Sequence, residues 1–284
     1  MKITDRTFGE ERALYGENEI ELENCRFEGE EDGESALKEC GDVKATGCYF
    51  DLRYPLWHDR SVELDDCTLT EKCRAALWYT ENIRIRKSKL LGIKAVRECS
   101  DVGITESEIV SPEFGWSTEN IFFRDVKAIS EYFMLRAKNI TAQRLDFKGK
   151  YSFQYIENAE FDDCYLDTKD AFWHGKNITV RNSVVKGEYL GWFSKKLTFI
   201  NCEIIGTQPL CYCKGLKLID CTMNGCDLSF ERSDVYAVLH NKVDSIKNPY
   251  KGVIKLPEVG EIIRDDANAK AKIILDESLN KNER

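Results

Sequence analysis

The chain has 284 residues, of which 42% are hydrophobic and 32% are charged. This composition supports a continuous apolar core under a well-solvated surface, and the length suits one large domain or two ordinary ones. The formal net charge of −9 at pH 7 argues against a nucleic-acid partner, because contacts to phosphates need clustered Lys and Arg side chains.

The first six residues are charged and lack the apolar stretch of a secretory signal. No segment approaches the roughly 20 apolar residues that cross a bilayer, so we expect no membrane partner and a cytoplasmic location. The alternative is a secreted form whose signal has been removed. The twelve cysteines do not suggest a disulfide framework in a chain of this length, and we expect reduced thiols.

A repeat of 19 residues is the main signal in the sequence. Early coils begin at Ile20, Val43 and Val62, with small insertions between them. From Ile83 onward the first apolar residue of each coil recurs every 19 residues: Ile83, Val102, Ile121, Ile140, Ala159, Ile178, Leu197, Leu216 and Val235. We number coil positions from this residue and call the residues that share a position a column.

Alternation within the repeat predicts strands. Positions one and three are apolar in every coil and position two is mostly polar, the pattern of a strand with one buried face. Position six holds half of the cysteines among other small residues, and position eight is mostly apolar. Position ten is often Gly, where the chain turns. Position nineteen is rich in Asn, whose stacked amides can hydrogen-bond from coil to coil.

We therefore predict an all-β fold, a single-stranded right-handed parallel β-helix (β-solenoid) of about 12 coils of about 19 residues. Residues 20–250 would form the helix, residues 1–19 an N-terminal cap, and residues 251–284 a C-terminal cap or tail. Caps are expected because open strand edges invite aggregation. Apolar pairs in the tail indicate extra strands there.

The coil columns resemble the pectin-lyase-like superfamily of right-handed parallel β-helices. Three strings resemble an uncharacterised bacterial family that is known only as a domain of unknown function: Gly33–Glu39, Arg53–His58 and Asp170–His174. The resemblance runs over nearly the whole chain and implies the fold. It implies no catalytic residues, because no activity is established for that family, and fold alone does not indicate function.

All five tryptophans occupy position fifteen, which makes the late part of the coil unusual. Strict strand alternation would turn this column inward. If the strand ends at position fourteen, the tryptophans instead stand outside as a stacking platform. The sequence leaves both orientations open.

The aromatic residues around this column are candidates for binding an extended glycan, whose rings would stack on them. The candidate residues are Tyr54, Trp57, His58, Trp78, Tyr79, Trp116, Trp173, Trp192 and Tyr212. The alternative interpretation is an aromatic ladder that only stabilises the sheet.

Arg136, Tyr155 and His174 lie on successive coils, and Asp170 precedes His174 by four residues. A His beside a Tyr, an Arg and a carboxylate could perform acid–base catalysis, because His titrates near neutral pH. The alternative is a surface His that is hydrogen-bonded to its neighbours. Whether the protein is an enzyme stays open.

We interpret the paired charges and the cysteines of the repeat as structural residues. Glu63 and Asp65 face Arg84 and Arg86 on the next coil, which predicts a salt-bridge ladder. Glu160 and Asp162 lie similarly against Arg181. Cys211-x-Cys213 invites a zinc interpretation, but the repeat explains most cysteines as small core residues, so we expect no metal and no cofactor.

The sequence favours a carbohydrate-related protein that binds, and could cleave, an extended glycan along its aromatic face. The alternative is a non-catalytic scaffold or protein-interaction module. The ligand and the oligomeric state are not determined by the sequence.

Overall fold

The chain is an all-β parallel solenoid of about 14 turns, with successive turns about 19 residues apart. This computed structural model describes residues 1–29 and 33–280. It divides into two compact units, Met1–Asp146 and Phe147–Arg284. Among the described residues, no helix is long and apolar enough to span a membrane.

The first unit is built from short strands and one 3₁₀ turn, Glu71–Cys73. Its strands are β1 (Lys2–Thr4), β2 (Thr7–Phe8), β3 (Asn18–Glu23), β4 (Arg26–Phe27), β5 (Gly41–Thr46), β6 (Tyr49–Phe50), β7 (Leu56–Trp57), β8 (Arg60–Asp65), β9 (Thr68–Leu69), β10 (Leu77–Trp78), β11 (Glu81–Arg86), β12 (Lys89–Leu90), β13 (Val96–Arg97), β14 (Ser100–Thr105), β15 (Glu108–Val110), β16 (Glu113–Phe114), β17 (Glu119–Ser130) and β18 (Tyr132–Phe133). Strand β19 (Lys138–Lys150) begins in this unit and ends in the second.

The strands of the second unit follow the same order within the coil. They are β20 (Glu157–Asp162), β21 (Tyr165–Lys169), β22 (Lys176–Arg181), β23 (Val184–Lys186), β24 (Lys195–Ile200), β25 (Glu203–Ile205), β26 (Leu216–Asn224), β27 (Asp234–Leu239), β28 (Val243–Lys247), β29 (Lys251–Leu256), β30 (Val259–Ile263) and β31 (Lys272–Leu275). A second 3₁₀ turn spans Glu277–Leu279.

The register confirms the predicted columns. In the first unit, β8, β11, β14 and β17 pair in parallel, and Ile83 aligns with Val62 on one side and Val102 on the other. In the second unit, β20, β22 and β24 do the same, with Ile178 aligned to Ala159 and Leu197. Positions one and three are buried in these strands, as expected for residues on the inner face of a coil.

The solenoid has more turns than the predicted twelve because regular pairing continues into the terminal segments. Ile3 in β1 aligns with Leu22, so a coil lies within residues 1–19. In the tail, β29 pairs with β27 and β31 pairs with β29, with Ile254 aligned to Ala237 and Ile273. The cap function assigned to these two segments stays a prediction.

Contacts between identical residue types join neighbouring coils, both in the core and on the surface. Phe27 lies between Phe8 and Phe50 at position eight, with ring centroids 5.0 and 4.8 Å apart. At position nineteen, the Asn139 amide donates to Asn120 Oδ1 at 2.8 Å, an interaction that continues from coil to coil as predicted. The twelve cysteines are buried, where they act as small core side chains.

Candidate functional site

The backbone at the end of each coil determines how the tryptophan column is oriented. Position fourteen is buried, position fifteen is half-buried and position sixteen is mostly exposed, as Phe172, Trp173 and His174 illustrate. His174 has a φ of 56°, in the left-handed region, which turns its side chain outward where a regular strand would point it inward. The tryptophans therefore stand on the outer side of the buried position-fourteen residues, partly covered by their neighbours.

Most of the tryptophans are tied to the backbone of the next coil. Trp173 Nε1 donates to the Tyr189 carbonyl at 2.6 Å and Trp192 Nε1 to the Gln208 carbonyl at 2.7 Å. Trp57 and Trp116 make equivalent bonds of 2.6 and 3.0 Å. The indole N–H is the only hydrogen-bond donor of a Trp side chain, and in these residues it is already used. These rings therefore offer a ligand apolar surface but no hydrogen bond.

In the second unit, position sixteen forms an uninterrupted column of stacked rings, which we call the aromatic ladder: Tyr155, His174, Phe193 and Tyr212. Neighbouring centroids lie 4.8, 5.0 and 4.8 Å apart, with interplanar angles of 9°, 7° and 11°. Tyr155 is 49% exposed and Phe193 is 41% exposed. Because the inner faces of the rings lie against one another, the ladder presents mainly ring edges to solvent.

The corresponding region of the first unit is interrupted by charge. Arg97 replaces a tryptophan, and its guanidinium lies 5.0 Å from the Trp78 ring and 4.7 Å from the Trp116 ring. Its Nη1 is 3.4 Å from Glu113 Oε2. This cation–π sandwich continues the stacking between coils but leaves no continuous exposed column of rings.

The remaining glycan-binding candidates also make ring contacts, some in the first unit and some in the second. His58 stacks on Tyr79 at 4.9 Å, and Tyr54 lies 4.6 Å from the Trp57 ring. In the second unit, Trp173 and Trp192 are stacked at 5.4 Å, and Tyr212 meets Trp192 edge-on. Sequence reasoning did not select Phe193, although its position-sixteen column, between His174 and Tyr212, was a sufficient signal.

The structure assembles only part of the proposed catalytic group. Tyr155 and His174 are in stacking contact, but in the described part of the chain no hydrogen bond joins His174 to a carboxylate. Asp170 is buried, its Oδ1 has no partner there, and desolvation raises the pKa of its carboxyl, against the opposing effect of Lys169. Arg136 is exposed and belongs to the first unit, so its place beside Tyr155 stays a prediction.

The predicted salt-bridge ladders form only in part. Arg86 pairs with Asp65, but the Arg84 guanidinium donates to the carbonyls of Ile83 and Asp101, at 2.8 and 2.7 Å. In the second unit, Asp162 aligns with Arg181 but accepts a hydrogen bond from the Asn182 amide at 2.8 Å.

A surface cavity of about 650 Å³ lies on the first unit, where Gly103 takes the place of a long side chain between Arg84 and Phe122. Its rim also includes Glu63 and Asp101, so acidic and basic groups are mixed around it. This cavity was not predicted from the sequence, although a glycine in the polar position-two column marks it.

A buried carboxyl group was also missed. Asp59 has no exposed surface, and its Oδ1 accepts a hydrogen bond from the Cys40 backbone N–H at 2.8 Å. Desolvation raises its pKa to about 8. The carboxyl is therefore mostly protonated at neutral pH, and its enclosure suits a structural role rather than contact with a ligand.

Several solved structures are similar to the chain at low identity. A surface adhesin of Streptococcus pneumoniae, PfbA, is 9% identical with a TM-score of 0.44, over 75% of this chain and 70% of the adhesin. A mutant tailspike protein of E. coli bacteriophage HK620, in complex with a hexasaccharide, is 11% identical with a TM-score of 0.43, over 92% of this chain and 60% of the tailspike. Similarity at this level carries no argument about what this chain binds.

No curated protein matches the chain. A family model described as "Protein of unknown function (DUF3737)" matches residues 1–275. Because this match covers nearly the whole chain, the protein belongs to the DUF3737 family.

Proposed function

We propose that the protein binds a glycan along the aromatic ladder of its second unit. The observation that carries the proposal is the continuous column of four stacked rings from Tyr155 to Tyr212, of which the first three are exposed and Tyr212 is half-buried. Exposed aromatic side chains in a row leave apolar surface in water, and such patches are typical of binding sites. The tyrosine hydroxyls and the imidazole of His174 add hydrogen-bond donors and acceptors that suit a polyhydroxylated ligand.

The ring geometry limits how the ligand can bind. The inner ring faces are covered, so a sugar contacts the rims of the rings and the polar groups beside them. We therefore expect modest affinity for each sugar unit and stronger binding as the glycan becomes longer.

A non-catalytic scaffold is the second candidate, and the same stacking favours it. Rings that cover one another from coil to coil stabilise the solenoid without any ligand, by about 0.5–1.5 kcal/mol per pair. Catalysis by His174, with Asp170 and Arg136, stays a prediction, as does the cytoplasmic location.

The test is a binding titration of the full chain against glycans of increasing length, with Phe193→Ala as the ladder variant. Tyr236→Ala is the matched control, because Tyr236 is 45% exposed and lies outside the ladder. We expect Phe193→Ala to weaken binding by about tenfold and the control to bind like the wild type.

The outcomes separate the two candidates. Binding that is lost only in Phe193→Ala supports the glycan site. If no glycan binds, and Phe193→Ala only lowers the unfolding temperature, the scaffold is the better explanation.

A further inference from the structure

Charged side chains on the outer surface generally pair with opposite charges on the neighbouring coil. Lys138 Nζ lies 2.8 Å from Glu119 in the first unit, and Lys186 Nζ lies 3.4 Å from Asp167 in the second. Aligned residues on paired strands lie about 4.8 Å apart, so opposite charges attract and like charges repel across this distance. Positive and negative side chains are therefore expected to alternate from coil to coil in a solenoid whose surface charges serve only its stability.

Position eighteen of the second unit breaks this rule. Lys176, Lys195 and Lys214 are aligned on three successive coils, and all three side chains are exposed; we call them the lysine column. Lys195 is thus placed between two residues of its own charge. Lys196 adds a further positive charge at the adjacent position.

The nearest carboxylates, Glu157 at one end of the column and Asp234 beside its other end, are already engaged. Glu157 pairs with Lys176, and Asp234 pairs with Lys251 at 3.2 Å. In the described part of the chain, Lys195 and Lys214 have no carboxylate partner. The repulsion between these lysines is therefore reduced only by ions or ligands that come from the solvent.

The lysine column runs beside the aromatic ladder. Each lysine follows a ladder residue by two positions, with a small buried residue between them. The three repeats are His174-Gly175-Lys176, Phe193-Ser194-Lys195 and Tyr212-Cys213-Lys214. Because every lysine is exposed, every ring is exposed or half-buried, and every middle residue is buried, the two columns share one surface.

Both columns favour negative groups. An aromatic ring carries partial negative charge on its face and partial positive charge at its edge. The ladder turns mainly edges outward, and these edges lie next to ammonium groups. A chain with a net charge of −9 thus carries a local surface of the opposite sign.

We propose that the aromatic ladder and the lysine column together bind an anionic glycan, one that carries carboxylate, sulfate or phosphate groups along its length. This inference rests on the proposed function and adds the charge of the ligand to it. The ladder argues against a single-stranded nucleic acid, because bases bind by stacking on ring faces, which are covered here.

The experiment compares neutral and charged forms of the same polymers: dextran, carboxymethyl dextran, dextran sulfate and dextran phosphate. A single-stranded oligothymidylate is a further arm. The variant Lys195→Gln/Lys214→Gln is compared with Lys89→Gln/Lys127→Gln. The control lysines are also exposed strand residues, but Glu108 is aligned between them.

We expect at least one charged dextran to bind about tenfold more tightly than dextran, with affinity falling as salt is added. The lysine-column variant should lose this advantage, and the control variant should retain it. The lysine-column variant should unfold at the same temperature as the wild type or higher, because repulsion is removed. The relative affinities for carboxymethyl, sulfate and phosphate forms identify the anionic group.

Three results would overturn the inference. If neutral glycans bind as well as charged ones, the ligand is not anionic, while the proposed function stands. If no glycan of either charge binds, both proposals fail. Tighter binding of oligothymidylate than of any glycan would assign the surface to nucleic acid.

Discussion

The same corner of the coil is built differently in the two units. In the second unit, Trp173 and Trp192 stack at 5.4 Å with an interplanar angle of 5°. In the first, a guanidinium occupies the equivalent place, and Arg97 lies between Trp78 and Trp116. Both arrangements continue contacts from coil to coil, so stacking between coils does not by itself indicate binding.

The difference that bears on function lies at position sixteen. The first unit stacks only His58 on Tyr79, and Glu98 and Ser117 follow in that column. The second unit continues through four rings, and beside them it places Lys195 and Lys214, which have no carboxylate partner among the described residues. A structural ladder needs neither the exposed rims nor the uncompensated charge, and for this reason the proposed ligand site is on the second unit.

The largest effect is expected inside the second unit. Phe172 is fully buried and its ring lies 5.5 Å from those of Phe153 and Phe161, so Phe172→Ala should leave a cavity. We expect a loss of about 3–5 kcal/mol in the free energy of unfolding, measured with denaturant. Phe193→Ala on the exposed ladder should cost only about 1 kcal/mol. Equal costs would show that the ladder is part of the core.

The buried carboxyl of the first unit should make stability depend on pH. The pKa of Asp59 is about 8 in the folded protein, above that of an unfolded Asp near 4, so unfolding releases a proton between these values. Its contribution is present below pH 4 and is lost as pH rises toward 8, by up to about 1.4 kcal/mol per pH unit.

The variant Asp59→Asn keeps an oxygen that can accept from the Cys40 N–H and does not ionise. We therefore expect its stability relative to the wild type to increase from pH 5 to pH 8, measured as the difference between their denaturation midpoints. A difference that does not change with pH would mean that Asp59 is ionised in the folded protein.

A smaller effect is expected from the cation–π sandwich. Arg97→Ala removes the guanidinium between two indole rings and should lower the free energy of unfolding by about 1–2 kcal/mol. Arg97→Lys keeps the charge but not the planar group, so it should recover only part of this loss. Full recovery by Lys would indicate that the ion pair with Glu113 matters more than the rings.

The smallest effect is spectroscopic and separates the two units directly. All five tryptophans are half-buried, so their emission should be only partly quenched by acrylamide. A bound glycan should change the emission of Trp173 and Trp192. The triple variant Trp57→Phe/Trp78→Phe/Trp116→Phe should keep this change in emission. The double variant Trp173→Phe/Trp192→Phe should lose it. The reverse result would move the site to the first unit.

The inner columns could be predicted from sequence because burial imposes a period on apolar residues. Ile83, Val102 and Ile121 recur at the coil spacing because each must fill the same place in the core. The tail was predicted to carry extra strands, but the end segments were not counted as coils, because the apolar pattern weakens where one side of a strand has no neighbour. Ile3 is only half-buried, and Ile274 in β31 is exposed.

The candidate site was predicted less completely. The aromatic columns were visible, and so was the 19-residue spacing of Lys176, Lys195 and Lys214. The significance of these lysines was not apparent, because a charge in a sequence does not show whether a neighbour neutralises it. The sequence also placed Asp170 near His174, but four residues along a turning chain led one side chain inward and the other outward.

The sequence by itself determined the solenoid, its period and the residues of its inner columns, because hydrophobic burial acts on every coil alike. Only the tertiary structure decided that the tryptophans stand outside, since this depends on the backbone turn that buries the preceding residue at position fourteen. It also decided that ring faces are covered while ring edges are exposed. These are properties of contacts between coils, which are determined by three-dimensional geometry and not by residue spacing.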